Sequence, residues 1–474
     1  MSVSSSKQKE ALRVATALTL VVVVVAALTY GVITAPTAGA YARVKVVRAW
    51  YVDVGSGVPY SIDVTPDGSL AVIATDYPPR LILVSTDSGE IMGEVKNVCS
   101  ECLLSSATIS PDGSRVAVIA ARSTGGDNYV FKVVTVSLKT RKVVWASKEF
   151  PSFGWTLRYS PDGKLIVVTS GDGDKVYALR SDTGALVWTV SISGAEKVLG
   201  VATSSGGVYV TYLTTDGDGG VMLISYGGKE VRKVTGLEGT PLIPSLTLDG
   251  KLLTIPLGIS KGGDTYAGKV VALNPSTLKR LYESPELSDY VWATTPIHEA
   301  GANVVAGIID NGTVCFFTQW DLKPITCARN KGWAGDDLAA LPNKPVVLIT
   351  IDKKQSSGDY VGRVVAYKVW AEGTGTAPHT TTQPSTTQPS TTQPTTPATT
   401  PATTTQPTTP QTTQQQTTPP TTTKPSTTQP PWLLIGAGAA GAVVVLIVIV
   451  AVITRRRRAG YYGGAYAPPP PPPP

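Results

Sequence analysis

Histidine is almost missing from this chain of 474 residues: only His298 and His379 occur. His298 lies beside a repeat turn and His379 in a low-complexity stretch, so no Ser-His-Asp or HExxH arrangement can be assembled, and no phosphate-loop glycine pattern is present. Cysteine is nearly as scarce, with Cys99, Cys102, Cys315 and Cys327 the only thiols. Cys315 and Cys327 sit symmetrically about the turn Trp320-Asp321-Leu322-Lys323-Pro324, which places them opposite each other on paired strands, within disulfide range. Cys99 and Cys102 have the CxxC spacing of zinc ribbons and redox motifs, but a zinc site needs another pair of ligands nearby, and the other cysteines belong to a distant repeat. A local disulfide is the expectation there, ahead of free thiols and ahead of zinc or redox chemistry.

A basic surface is lacking where it would matter. The formal charge is +7, yet Lys7, Lys9, Arg13, Lys424 and Arg455 to Arg458 lie outside residues 43–372, against the single acid Glu10. Removing these from totals of 41 cations and 34 anions leaves 33 of each sign, so the central region is neutral. That excludes the electrostatic footprint of nucleic-acid binding; the surplus flanks apolar segments instead.

Those segments mark the ends of the chain. Residues 1–42 carry a positive start, a long apolar stretch and small residues near Ala40 and Ala42, and read as a secretory signal peptide or as an uncleaved signal anchor. Residues 372–431 are almost wholly Thr, Pro, Gln, Ser and Ala, with no apolar face and so no means of forming a core. We read them as a disordered stalk, reaching on the order of 170 Å as polyproline II, with O-glycosylated hydroxyls or as a bare spacer. Residues 432–454 open on Trp432, are apolar throughout and end at four arginines, which predicts a transmembrane helix with its C-terminal end in the cytoplasm. Residues 455–474 are a basic, proline-rich tail.

Between the ends the chain repeats itself. Ser160-Pro161-Asp162-Gly163 is turn chemistry, followed by a β-branched run at 164–170, a break at 171–174, an alternating strand at 175–180, a second turn at 181–184 and a last strand at 185–192. Comparable landmarks stand at Thr65-Pro66-Asp67-Gly68, Ser110-Pro111-Asp112-Gly113, Ser204 to Gly207, Leu248-Asp249-Gly250, Glu299-Ala300-Gly301 and Leu341-Pro342-Asn343. Seven units spaced by about 43 to 51 residues have the period of propeller blades with four strands each. The last unit lacks a fourth strand after residue 370, while the first has a surplus strand at 43–54. An all-β, seven-bladed ring over residues 43–371, closed by that N-terminal strand, satisfies both.

The unit resembles WD40-like and PQQ-like β-propeller repeats. Ser160 to Lys164 resembles the turn of the first, and Val176-Tyr177-Ala178-Leu179 with Asp182-Thr183-Gly184 and Val187-Trp188 resembles the second. The whole organisation resembles archaeal cell-surface proteins with Thr/Pro-rich stalks and a C-terminal anchor. The resemblance implies the fold far more than a function, since propellers host receptors, scaffolds and enzymes alike. Quinoprotein dehydrogenases are the enzymes nearest in fold; their signatures include adjacent cysteines over the cofactor, whereas two residues separate Cys99 from Cys102. We therefore expect no catalysis and no cofactor.

In a propeller, the loops joining strands two and three and the loops between blades open on one face. That face is expected to gather Tyr60, Phe153, Trp155, Tyr290, Trp292 and Trp333, together with Asp127, Asp172, Asp174, Asp216, Asp218, Asp264 and Asp359. Aromatic rings with carboxylates suit sugar or peptide recognition; equally, the rings can plug the centre of the ring and the Gly-Asp loops can be simple turns. Asp172 with Asp174, or Asp216 with Asp218, has the residue type for Ca²⁺ without an EF-hand string. Asn311-Gly312-Thr313 is an N-glycosylation sequon. The expectation is a membrane-anchored, extracellular binding module for a protein or glycan, or an envelope assembly scaffold.

Overall fold

The computed structural model describes residues 43–126, 128–298 and 304–372. The expected signal segment, stalk, span and tail lie outside the described residues, as do Asp127 and the turn at 299–301. Among the described residues no helix is long and apolar enough to cross a membrane.

Seven antiparallel sheets follow one another along the chain. They cover residues 61–95, 103–151, 157–191, 195–237, 240–283, 291–329 and, for blade 7, 334–372 joined by Arg43–Ser56. Each is a meander whose second and third strands are buried on both sides, as Leu165–Thr169 and Lys175–Arg180 are in blade 3. Buried on two faces, such strands read as continuous apolar runs, whereas the outer Leu186–Ser191 alternates exposed and half-buried positions. Two blades depart from the four-strand expectation. The outer strand of blade 2 is split into Val143–Ala146 and Phe150–Pro151, and the inner strand of blade 5 into Thr240–Pro241 and Ser245–Leu246. Pro241 and Pro244 lack the amide hydrogen a ladder needs, which accounts for the second break.

Two devices join neighbouring blades. Near the ring centre, polar groups cross every junction. Asp63 accepts from the Ile109 amide at 2.7 Å, Ser105 donates to the Gly154 carbonyl at 3.0 Å, and Thr169 to that of Leu199 at 2.6 Å. Thr211 donates to the Leu242 carbonyl at 2.8 Å, Thr254 and Thr294 share a bond of 2.9 Å, and the Gly335 amide donates to the Asp310 carbonyl at 2.8 Å. Asp337 completes the circle by accepting from the Ile62 amide at 3.2 Å. At the rim, Trp50, Trp145 and Trp188 donate to the carbonyls of Thr86, Ser181 and Tyr226 on the next blade. Their rings lie against Gly89, Gly184 and Gly228, positive-φ turn positions where a Cβ would fall within 2.8 Å of the indole. Only glycine satisfies both the turn and the ring.

The N-terminal strand closes the ring as the repeat count requires. Arg43–Ser56 pairs antiparallel with Tyr360–Glu372, from Arg43 opposite Glu372 to Ser56 opposite Val361. Val44 and Val46 pack on the core between blades 6 and 7, while Trp50, Val52 and Val54 pack on the core shared by blades 7 and 1. Both cysteine pairs are bridged, and Cys315 stands directly opposite Cys327 in the register with 4.1 Å between Cα atoms.

Deleting residues 43–54 bares the edge of blade 7 and forfeits about 1.5–3 kcal/mol for each apolar side chain it fully buries. The truncated protein is expected to aggregate in size-exclusion chromatography and to melt earlier. A monomer with unchanged melting contradicts the seven-bladed closure.

Candidate functional site

The aromatic residues expected on the loop face stand at or just inside the starts of inner strands and fall into separate groups, whereas Asp172, Asp174, Asp216, Asp218, Asp264 and Asp359 lie between second and third strands. At the junction of blades 2 and 3, Phe153 meets Trp155 at 6.0 Å and Tyr129 edge-on at 5.2 Å. At the junction of blades 5 and 6, Tyr290 stacks on Trp292 at 5.9 Å and meets Tyr266 at 4.8 Å. A side chain at Gly258 would collide with the Tyr290 ring, so the bare backbone there makes room for it. Trp333 lies 4.4 Å from the Arg363 guanidinium. Trp155, Trp292, Trp333, Phe153, Tyr290 and Tyr60 are all half-buried. Phe153, Trp292 and Trp333 also pack on core clusters, so these rings serve the fold and border the surface together.

Of the loop carboxylates, Asp172 forms an ion pair with Lys197 at 2.9 Å. Among the described residues no group of three or more His, Cys, Asp or Glu is arranged to hold a metal ion. Asn311 donates its side-chain amide to Ser288 at 2.9 Å and accepts from Thr313 at 2.6 Å, so the sequon nitrogen is already engaged in this structure.

A second set of carboxylates, not singled out from sequence, converges where blades 6, 7 and 1 meet. Asp310 and Asp76 follow directly on the second strands of blades 6 and 1, and Asp352 sits near the end of that of blade 7. Asp336 and Asp337 occupy an irregularity of the inner strand of blade 7, between Gly335 and Leu338 in the register. Such a bulge re-aims side chains that would otherwise alternate across the sheet. Asp352 lies opposite Ala334 on the one side and Gly362 on the other, which brings it beside the bulge. The Asp76 carboxylate accepts from the Val58 amide at 2.7 Å, fastening the chain just after the closing strand. Trp292 donates its indole N–H to Asp310 at 2.8 Å.

Burial dominates the electrostatics here. It holds Asp336 far above the usual carboxylate range, helped by the charges of Asp352, Asp310 and Asp76. Burial, then Asp310 and Asp76, pushes Asp352 up to about 7. Burial raises Asp76 against the pull of its amide donors, and raises Asp310 against its bond from Trp292. The Tyr60 hydroxyl is held well above the usual tyrosine range by burial and by Asp76, Asp336 and Asp352, which places it in the same group. Asp337 is pushed to about 6 by burial, partly offset by Arg158, although Ser61, Ile62 and Leu338 all donate to it. The signal available in the sequence was a carboxylate closing three apolar runs, VIATD, GIID and LITID, of which the first joins the other two only when the ring closes.

Residues 131–347 match the model of a family described as outer membrane protein assembly factor BamB. No curated protein matches the chain.

The pH dependence follows from the raised carboxylates. Their unfolded values lie near 3.8, so between about 4 and about 7 the folded state holds more protons than the unfolded one, and stability falls as pH rises through that window. Melting is expected to be higher near pH 5 than near pH 8, with D352N flattening the difference; melting that rises over this range contradicts the assignment. The described region is thus a seven-bladed β-propeller of the PQQ-like kind, similar over residues 131–347 to that assembly-factor family.

Proposed function

We propose that this chain is a binding module displayed at the cell surface, with the propeller outside, residues 372–431 as its stalk, residues 432–454 as its anchor and residues 455–474 in the cytoplasm. The observation that carries the binding reading is the face that combines half-buried aromatic rings with carboxylates at the joint of blades 6, 7 and 1. Rings of this kind offer apolar faces for stacking while neighbouring acids fix orientation, the chemistry of a peptide or glycan receptor. The opposite face offers Asp-Gly turns whose acids are spent on their own loops, as when Asp162 accepts from Ser160 at 2.6 Å and from the Lys164 amide at 3.1 Å.

A second reading, an envelope assembly scaffold, is favoured by the assembly-factor description of the family similar over residues 131–347. A quinoprotein-like dehydrogenase has less support, because the adjacent cysteines of that signature are replaced by Cys99 and Cys102 two residues apart.

Peptide and glycan array binding by intact cells carrying the full chain, before and after external protease, tests the reading. Protease is expected to abolish the signal, and W155A, W292A and W333A each to weaken it by more than about 1 kcal/mol, as hot-spot residues do. Binding found only after lysis places the propeller inside. Lower melting with unchanged binding assigns the tryptophans to packing alone.

A further inference from the structure

Two of the carboxylates at the joint of blades 6, 7 and 1, Asp336 and Asp352, lack the partners that buried charge requires. Asp352 is 1% exposed and its Oδ1 has no hydrogen-bond partner; Asp336 is 9% exposed and its Oδ2 has none. Among the described residues no Lys or Arg forms an ion pair with Asp76, Asp310, Asp336 or Asp352. Arg158 acts on Asp337 and donates to the Leu157 carbonyl at 2.9 Å, and two further cations of the joint are occupied elsewhere. Arg363 bonds Asp53 at 2.6 Å and lies over the rings of Tyr51 and Trp333 at 4.2 and 4.4 Å, and Lys354 lies 5.8 Å from the Tyr360 ring. An uncompensated buried carboxylate costs several kcal/mol, so these oxygens await either protons or a cation from outside. Proteins keep such a cost where function uses it.

We propose that this joint is a receptor for a protonated alkylamine, the ammonium group of a free amine or of a lysine side chain. The inference deepens the binding-module reading and rests on it. The chemistry selects the class. A metal ion draws its oxygen ligands to one centre, and the described acids form no such group. An ammonium group instead presents three donors to separately placed acceptors and tolerates that spread. The rim suits it as well: Tyr60 is half-buried beside Asp76, Asp336 and Asp352, and aromatic faces attract cations. Asp352 and Asp336 supply the unpartnered acceptors, while Asp76 and Asp310, already bonded to Val58 and Trp292, supply negative potential without moving.

Calorimetric titration of the detergent-solubilised full chain with n-butylammonium chloride, and separately with a lysine-containing peptide, tests the site. Each is run near neutral pH in phosphate and in HEPES, whose ionisation enthalpies differ. The expected result is saturable binding with release of protons to the buffer, as Asp352 and Asp336 give up protons to meet the cation. D352N and D336N are each expected to weaken it by more than about ten-fold, the loss seen when one side of a buried charge pair is removed. Both variants are expected to melt no earlier than the parent, since each replaces a buried, raised carboxyl by an amide of the same shape that cannot become charged. Equal affinity for the two probes assigns the site to small amines, and tighter peptide binding assigns it to a partner's lysine. No saturable heat with either probe at millimolar concentration overturns the proposal, as does undiminished binding by both variants or binding of calcium alone. If array binding by intact cells persists in that case, the binding module stands and only its amine specificity falls.

Discussion

The pairing of Arg43–Ser56 with Tyr360–Glu372 is the contact on which the rest of this structure depends. Every other blade is made from consecutive strands and pays only for short loops; blade 7 alone joins the two ends of the described chain. Without it the outer edge of blade 7 is bare, and the junction to blade 1 loses the packing of Trp50, Val52 and Val54 and is left to the bonds of Asp337 with Ser61 and Ile62. Its interdigitation with two separate cores explains how so few residues hold so long a closure: Val44 and Val46 serve one junction, Trp50 and Val52 the next.

The acidic cluster lies at that same joint. Val58, just past the closing strand, is fastened by Asp76, and Gly57 donates to the Tyr360 carbonyl at 2.9 Å where the third strand of blade 7 begins. The site and the closure therefore share residues. Charge that accumulates on Asp336 and Asp352 strains the junction that holds the ring together, and a cation that neutralises them binds the folded ring and not the unfolded chain. Occupancy then strengthens closure by mass action.

The fold was legible because its signals are local. Ser160 donates to Asp162 and frames a turn within five residues, and the same bond recurs from Ser110 to Asp112 and from Thr65 to Asp67. Counting such turns gave seven units, and the missing strand at one end with the surplus at the other gave the closure. The bridge between Cys315 and Cys327 was legible for the same reason, since a hairpin fixes its own register. The split strands of blades 2 and 5 were not, because packing against neighbours decides where a ladder breaks. The site was half legible. Aromatic residues at inner-strand entries stand out against β patterning, but Asp76, Asp310 and Asp352 each look like an ordinary residue leading into a turn. Only ring closure brings Asp76, from the first blade, beside Asp336, Asp310 and Asp352 of the last two, and only burial by several blades raises their proton affinity.

Hydrogen exchange of the full chain, followed at the amides of residues 43–56 against those of residues 346–354 and 360–372, tests the closure most directly. The account predicts that the N-terminal strand is protected alongside its blade and opens with it. Exchange of residues 43–56 at unfolded-chain rates, while the other strands of blade 7 remain protected, would contradict it.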